Sequence, residues 1–238
     1  MPDQVSRSKS LDLNFVDSVE VLNEHKIPYW ACHGTLLGLV RDQALIPWDT
    51  DIDYALWSDC GCKPELMEIM LAKGFVLKSA GEGYDFLSFG REGGMDVDFN
   101  FYRVSKDSDT AYSEWFVVRS RFSAWIIALS NAGKYTGNYQ NFVRALSPVS
   151  WFFKGVSLML RKLGWLYTSA GYTTPANLLA EFDVLNVQNV LVKIPRKPER
   201  VLEFVYGESW KVPKENYNWV EESPSTIVSD SRFNSGDS

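Results

Sequence analysis

The chain has 238 residues, of which 45% are hydrophobic and 14% aromatic, and its formal net charge is -6. This size and composition predict a globular protein with a sizeable core and exclude a fibrous or mainly disordered chain. The negative charge also argues against binding of long nucleic acid, because domains that bind it usually present a basic face.

The first hundred residues predict helices that alternate with strands. Residues 1–10 are polar and predict a flexible N-terminus, and apolar residues at helical spacing predict an amphipathic helix over residues 11–25 with Ser10 as its cap. The elements expected after it are a strand at 29–32, a turn at Gly34 and Thr35, a helix at 36–41, a strand at 52–56, a helix at 63–71, and strands at 75–78, 84–89 and 95–102.

An aromatic-rich helical pattern follows, interrupted by polar residues at 133–141, and it predicts a helical insertion at about 112–180 in a single catalytic domain of residues 11–220. Its segment 151–163 combines apolar bulk with basic residues, as in a core-facing helix or a helix lying on a membrane surface. Two short extended segments and one helix are expected after the insertion, and the Ser-rich tail at 221–238 is expected to be disordered.

The three cysteines are Cys32, Cys60 and Cys62. They cannot all pair with one another, and the spacing of the last two is tighter than that of a zinc knuckle. We therefore expect free thiols and a reduced, intracellular setting.

Three carboxylates, those of Asp49, Asp51 and Asp53, alternate along one extended segment. Because side chains of a strand point alternately to opposite faces, these three can share one side of a sheet. Ionised carboxylates so close together repel each other, and a hard divalent cation such as Mg²⁺ or Mn²⁺ holds them together. A calcium loop opening at Asp49 is an alternative, but it would need glycine where Tyr54 stands and glutamate where Cys60 stands.

A later strand repeats the pattern with Asp96 and Asp98, whose apolar neighbours would face a core. A solvated edge strand is the structural alternative. If the two strands face each other, their aspartates form one metal-binding cluster of the kind that supports phosphoryl transfer.

The segment from His33 to Trp48 offers further candidates. Gly34 and Thr35 lie at a helix start, where backbone N–H groups and the hydroxyl can bind phosphate. Arg41 can bind phosphate or stabilise the helix end, and Trp48 can stack on a base or pack in the core. His33 can act as a general base or be structural, and we do not include it among the predicted catalytic residues.

The runs at residues 33–41 and 46–53, which read HGTLLGLVR and IPWDTDID, closely resemble the signature of the LicD family. That family includes bacterial phosphocholine transferases and is similar to fukutin and fukutin-related protein. The run MDVDFNFY at 95–102 resembles the family's next carboxylate strand, and residues 198–213 resemble its C-terminal helix and Tyr-Gly turn. The resemblance covers about 11–102 and about 194–213.

The resemblance implies an α/β (α+β) fold, a nucleotidyltransferase-like mixed sheet flanked by helices. It also implies transfer of phosphocholine or an alditol phosphate from a CDP-linked donor to a glycan or glycolipid acceptor. By resemblance, Asp51 and Asp53 bind the metal, Asp98 is a third ligand or the base, and the turn before the short helix binds donor phosphate. Asp49 and Asp96 are substitute ligands or their neighbours.

Two alternatives stay open at this point. The same site can transfer the nucleotide itself to a protein or small molecule, or the chain can be a non-catalytic relative that binds a glycan or a membrane. The sequence lacks the membrane anchor and zinc-binding cysteines of animal secretory-pathway relatives, so we expect a cytoplasmic protein, with peripheral contact to a membrane as an option.

Overall fold

The structure, a computed structural model, describes residues 11–80, 86–106, 109–135 and 139–229. The chain forms two compact units. The first contains Met1–Glu114 and Tyr172–Thr226, and the second contains Trp115–Gly171 and Ile227–Ser238. The predicted flexible N-terminus at 1–10, with its expected helix cap Ser10, lies outside the described residues.

The first unit alternates helices and strands in its N-terminal part. They are α1 (Leu13–Glu24), β1 (Tyr29–Ala31), α2 (His33–Arg41), β2 (Asp51–Trp57), α3 (Lys63–Ala72), β3 (Val76–Ala80), β4 (Phe86–Gly90) and β5 (Asp96–Val104). The elements after these in chain order are β6 (Thr110–Val118), α4 (Arg121–Ser130), α5 (Gln140–Ala145), α6 (Ser150–Lys162), β7 (Tyr167–Pro175), β8 (Phe182–Val187), β9 (Val190–Pro195), α7 (Pro198–Tyr206), α8 (Trp219–Glu222) and β10 (Thr226–Ser229).

The sheet of the first unit is mixed, because β2 runs parallel to β5 and antiparallel to β1. On its other side β5 pairs antiparallel with β4, which pairs in turn with β3. Helices flank these strands, so the predicted fold class of a mixed sheet flanked by helices is confirmed. A separate hairpin is formed by β8 and β9.

The core lies on the face of the sheet opposite the aspartates. Ile52, Val97 and Phe99 are fully buried there, and the ring of Phe99 stacks on that of Tyr54 at 5.6 Å. Because successive side chains of a strand point to opposite faces, the residues of β2 and β5 alternate between the core and the site.

The N-terminus of α1 fixes the start of β5. Asp12 caps the helix by accepting hydrogen bonds from the N–H groups of Asn14 and Phe15. Its other carboxylate oxygen accepts from the N–H of Met95 at 3.1 Å, and the amide of the fully buried Asn14 donates to the Met95 carbonyl at 2.8 Å. These bonds hold the residue directly before the second pair of aspartates.

The second unit contains α4, α5 and α6. Ile126 of α4, Leu160 of α6 and Leu166 form one buried cluster of this unit. Among the described residues, no helix combines the length and the apolar composition needed to cross a bilayer.

Two stretches differ from the sequence-based expectation. The predicted helical insertion at about 112–180 contains helices, but it also contains most of β6 and all of β7. Disorder was expected from residue 221, yet 221–229 contain the end of α8 and strand β10, and Ser225 is fully buried with its carbonyl bonded to the N–H of Thr173 at 2.8 Å. Residues 230–238 lie outside the described part of the chain.

The expectation of three free thiols is also wrong. Cys60 and Cys62 form a disulfide, and Cys32 is a buried free cysteine. Gly61 between them has a φ of 64°, and this left-handed turn brings the two Cα atoms to 5.2 Å, which is within the range of disulfides. The expectation of a reduced setting rested on three free thiols, and two of these cysteines are joined in the disulfide.

Candidate active site

The parallel strands β2 and β5 bring the two aspartate pairs side by side. In their register Asp51 is opposite Asp96 and Asp53 is opposite Asp98. Because side chains two residues apart share a face, all four carboxylates start from the same face of the sheet. The sequence pattern predicted this arrangement if the two strands were neighbours, and they are.

Three of the predicted aspartates form one cluster. Asp51, Asp53 and Asp98 each offer a carboxylate oxygen, and these oxygens lie within 4.8 Å of one another. Asp96 is not part of this cluster and pairs with the Lys78 ammonium at 2.5 Å. Asp49 also lies outside it and accepts a hydrogen bond from the N–H of Thr50 at 3.1 Å.

The carboxylates of the site resist ionisation. Burial, followed by the charges of Asp51 and Asp98, raises the pKa of Asp53 well above its ordinary value. Burial raises the pKa of Asp98 to about 6, although a hydrogen bond from Ser88 acts in the opposite direction. Burial and the adjacent Asp51 raise the pKa of Asp49 to about 7. Positive charge at this site would therefore be strongly favoured.

The residues present fit a divalent cation. Oδ1 of Asp98 is buried without a hydrogen-bond partner, which leaves a lone-pair donor beside two further carboxylates. The donor set is entirely oxygen, and hard cations such as Mg²⁺ prefer oxygen ligands. Asp51, Asp53 and Asp98 are the residues that would hold the ion.

Asn100 forms hydrogen bonds next to the aspartate cluster. Its side-chain amide donates to Oδ1 of Asp53 at 3.4 Å and to the Tyr54 carbonyl at 3.5 Å. Asn100 is 3% exposed and lies two residues after Asp98 on β5, hence on the same face. We did not predict it as a site residue, although the two-residue spacing was visible in the sequence.

The first turn of α2 lies against the aspartates. Gly34 lines the pocket, and a Cβ at this position would overlap Oδ2 of Asp49. Thr35 was predicted to bind phosphate, but it is only 2% exposed, and its hydroxyl accepts a hydrogen bond from the N–H of Asp53 at 2.8 Å. The structure therefore gives Thr35 a positioning contact to β2 instead of a place on the pocket wall.

A pocket of about 510 Å³ opens beside the cluster, and Asp49, Asp51 and Asp53 form part of its wall. The predicted substrate-binding residues Arg41 and Trp48 also line it. The Arg41 guanidinium is paired with Asp42 at 2.7 Å, and its side chain is 8% exposed. Trp48 is 39% exposed, so its ring is not part of the core.

The remaining wall is aromatic and comes from the C-terminal part of the first unit. Its rings and charged groups are those of Tyr172, Tyr206, Trp210, Tyr217, Trp219, Lys214, Glu215 and Glu222. Ring centroids are 5.1 Å apart both between Tyr172 and Trp219 and between Tyr206 and Tyr217. Sequence reasoning did not predict these as pocket residues. The signals were the density of aromatic residues between 206 and 219 and, for Tyr206 and Trp210, the family resemblance of residues 198–213.

His33 joins the metal-binding side of the pocket to the aromatic side. Burial lowers its pKa to about 3, so the imidazole is neutral. Nε2 lies 3.3 Å from the hydroxyl of Tyr102, the ring contacts Tyr172 at a centroid distance of 3.9 Å, and Nδ1 is buried without a partner. Its φ of 46° is unusual for a residue other than glycine and is typical of strained functional positions.

Comparisons with known proteins agree with the resemblance found in the sequence. A family model described as LicD/FKTN/FKRP, nucleotidyltransferase domain, matches residues 26–127. Uncharacterized proteins of Rickettsia typhi and Rickettsia prowazekii are each 42% identical to this chain over 55 residues. The matched stretch is 22% of this chain and 18% and 21% of the two relatives, so the chain matches only about a fifth of their length.

Two solved structures show distant similarity. The lincosamide antibiotic adenylyltransferase LnuA, bound to lincomycin, is 10% identical, with a TM-score of 0.40 over 77% of this chain and 79% of its own. The antibiotic-resistance factor ANT(2'')-Ia is 12% identical, with a TM-score of 0.32 over 61% of this chain and 88% of its own.

Proposed function

We propose, from the match of residues 26–127 to the LicD/FKTN/FKRP nucleotidyltransferase domain, that the chain is a metal-dependent transferase of substituted phosphate groups. It moves phosphocholine or an alditol phosphate from a CDP-linked donor to a hydroxyl of a glycan or glycolipid. The family assignment supports transferase activity in general, and the donor, acceptor and metal are our proposal.

The observation that carries this proposal is the cluster of Asp51, Asp53 and Asp98 next to a pocket large enough for a nucleotide-linked donor. We propose Mg²⁺ or Mn²⁺ as the cofactor, because the three ligands are carboxylates. When bound, the cation supplies the positive charge that neutralises the phosphate oxygens.

The pocket contains side chains suited to both ends of such a donor. Arg41 and Lys214 line it and carry positive charge for the diphosphate, while backbone at Gly34 can approach closely because no Cβ intervenes. The indoles of Trp48 and Trp219 offer apolar faces for the cytosine ring.

The proposed reaction is an in-line displacement at phosphorus. An acceptor hydroxyl oxygen bonds to the phosphorus of the phospho-alcohol unit as the bond from that phosphorus to CMP breaks. The hydroxyl proton passes to a carboxylate, for which the resemblance suggests Asp98, and CMP leaves.

The test is incubation of the purified chain with CDP-choline, CDP-ribitol or CDP-glycerol, each with and without Mg²⁺ or Mn²⁺, followed by mass spectrometry. We expect metal-dependent binding or slow hydrolysis of one donor, with release of CMP. Asp51→Asn and Asp53→Asn should abolish it, whereas Asp59→Asn, a change at an exposed carboxylate past the end of β2, should not.

Two outcomes would contradict the proposal. An acceptor that gains a nucleotide monophosphate would identify a nucleotidyltransferase, and a chain that binds glycan without any metal-dependent nucleotide affinity would identify a non-catalytic relative. Placement in the cytoplasm stays a prediction, which fractionation of the producing cells tests.

A further inference from the structure

Residues 115–171, the larger part of the second unit, have a one-sided charge composition. Between residues 115 and 180 the sequence contains seven of the chain's 24 Lys and Arg residues and none of its 30 Asp and Glu residues. The chain as a whole has a net charge of -6. Surfaces of soluble proteins usually mix both signs, so a basic segment of this length in an acidic protein indicates an anionic partner.

Helix α6 of this unit has an exposed apolar stripe. Trp151, Phe152, Leu158 and Met159 are 72%, 54%, 61% and 55% exposed, respectively. Residues seven apart lie on the same side of a helix, so the two rings and the two aliphatic side chains form one continuous stripe, which we call the α6 stripe.

The stripe is not the packing face of its helix. The opposite side of α6 carries the buried Leu160 and the partly buried Phe153 and Val156, which pack in the cluster that includes Ile126 of α4. This helix therefore has two apolar faces, one inside its unit and one in solvent. Exposed apolar surface of this kind marks an interaction site.

Basic side chains accompany the stripe. Lys154 and Lys162 are exposed, the first at the flank of the stripe and the second one turn beyond Leu158. Further aromatic residues of the same unit are also in solvent, with Phe122 and Phe142 65% and 62% exposed.

We propose that the second unit docks on an anionic lipid surface, with α6 lying in the plane of the interface. Trp, Phe and Leu on one face with Lys beside them, and no carboxylate nearby in sequence, is the composition of interfacial helices. The helix has 13 residues, about 20 Å of length, which suits lying on a bilayer rather than spanning it. The stem of Lys162 can lie along apolar surface while its ammonium contacts lipid phosphate.

A protein partner or a second copy would also bury the stripe. The lipid surface is favoured because it matches both observations together: repeated negative charge for the basic residues, and an apolar layer for the rings. The proposal does not depend on the transferase activity, because docking is measured without substrate.

The first test is sedimentation of the full chain with vesicles of phosphatidylcholine alone or of phosphatidylcholine mixed with phosphatidylglycerol. We expect binding to the mixed vesicles that is stronger by at least about tenfold. The proposal is overturned if the chain binds neither type of vesicle or binds both types equally.

The second test removes the stripe. Trp151→Ser with Phe152→Ser should reduce partition into the mixed vesicles by at least about tenfold. The matched control is Leu13→Ser with Leu71→Ser, which changes two exposed apolar residues of α1 and α3 and should leave partition unchanged. Equal losses in both variants would contradict docking through α6.

The third test removes charge and guards against misfolding of the stripe variant. Lys154→Gln with Lys162→Gln should remove most of the preference for phosphatidylglycerol while the thermal midpoint of unfolding stays within a few degrees. Lys26→Gln with Lys197→Gln, an equal loss of exposed charge in the first unit, should retain the preference.

Sedimentation velocity without lipid tests whether a second copy covers the stripe. A wild-type dimer that becomes monomeric in the stripe variant would assign the stripe to a second copy and overturn the proposal.

Discussion

The hydroxyl of Thr35 accepts a hydrogen bond from the backbone N–H of Asp53 at 2.8 Å. This bond joins the first turn of α2 to β2 at the residue whose carboxylate belongs to the metal-binding cluster. Thr35 is buried, so water cannot replace the hydroxyl as acceptor. The hydrogen bond therefore fixes the position of the helix start relative to the carboxylate of Asp53.

Replacement of this hydroxyl should weaken both stability and metal binding. Thr35→Val keeps the shape of the side chain but leaves the N–H of Asp53 buried without an acceptor, and we expect a loss of about 1–3 kcal/mol in the free energy of unfolding. Urea denaturation and calorimetric titration with Mn²⁺ measure the two effects. Thr35→Ser retains the acceptor and should keep most of both properties, and a Val variant that matches the wild type would contradict the positioning role.

Two glycines of α2 should respond differently to an added methyl group. At Gly34 the new Cβ meets the end of the Asp49 side chain, which can turn away, whereas at Gly38 it meets the Ala44 carbonyl at 2.6 Å. Gly34→Ala should therefore lower activity with little change in stability. Gly38→Ala should destabilise the fold by about 1–3 kcal/mol.

The measurement is turnover together with urea denaturation for both variants, with Gly155→Ala as a control at a helical position that has open space around it. Combining Gly34→Ala with Asp49→Ala sharpens the result. If displacement of Asp49 is the cause, the Gly34 substitution has little further effect once that carboxylate is gone. An equal penalty in both backgrounds would refute that cause.

Neutralising the cluster should stabilise the metal-free protein. The pKa of Asp98 is raised to about 6, so the folded state holds this proton more tightly than the unfolded state does. The stability that it contributes is fully present below the ordinary pKa near 3.8 and is lost as the pH rises through about 6. At pH 8 without metal, Asp98→Asn should therefore raise the free energy of unfolding by about 1–2 kcal/mol.

Binding of a divalent cation should make the wild type more stable than Asp98→Asn. The free energy of unfolding of the wild type should rise with the logarithm of the Mg²⁺ or Mn²⁺ concentration, whereas that of Asp98→Asn should change little. Thermal unfolding at pH 5 and pH 8, with and without the cation, measures both effects. A variant that is less stable than the metal-free wild type at pH 8 would contradict the repulsion described above.

His33 should make the protein sensitive to acid. Its pKa is lowered to about 3 by burial, so below pH 6.5 the unfolded state binds a proton that the folded state does not. The contribution of His33 to stability is present above pH 6.5 and is lost as the pH falls towards 3. His33→Asn, a residue that tolerates a positive φ, should remove a slope of about 1.4 kcal/mol per pH unit between pH 6 and pH 4. Parallel curves for wild type and variant would argue against a neutral, buried imidazole.

The metal-binding side of the site could be predicted because its geometry depends on local rules. A two-residue period places Asp51 with Asp53 and Asp96 with Asp98, and pairing of the two strands then brings the sets together. The structure unites Asp51, Asp53 and Asp98, while the roles of these residues stay predictions.

The opposite wall could not be predicted because it depends on contacts between distant parts of the chain. Tyr172, Tyr206 and Trp219 come from different elements and meet only in the folded protein. Strand β7, with the sequence YTSAGYTTP, lacks the alternating apolar residues that identify a strand in sequence. The pairing of Cys60 with Cys62 depended in the same way on the left-handed conformation of Gly61, which the composition does not reveal.

Titration of Mn²⁺ followed by electron paramagnetic resonance is the most direct test of metal binding at the aspartate cluster, because it reports the ion itself and needs no substrate. We expect saturable binding to the wild type and to Asp59→Asn, competition by Mg²⁺, and affinity at least about tenfold weaker in Asp53→Asn. Absence of saturable binding in the wild type, or the same affinity in Asp53→Asn, would contradict a metal site at these aspartates.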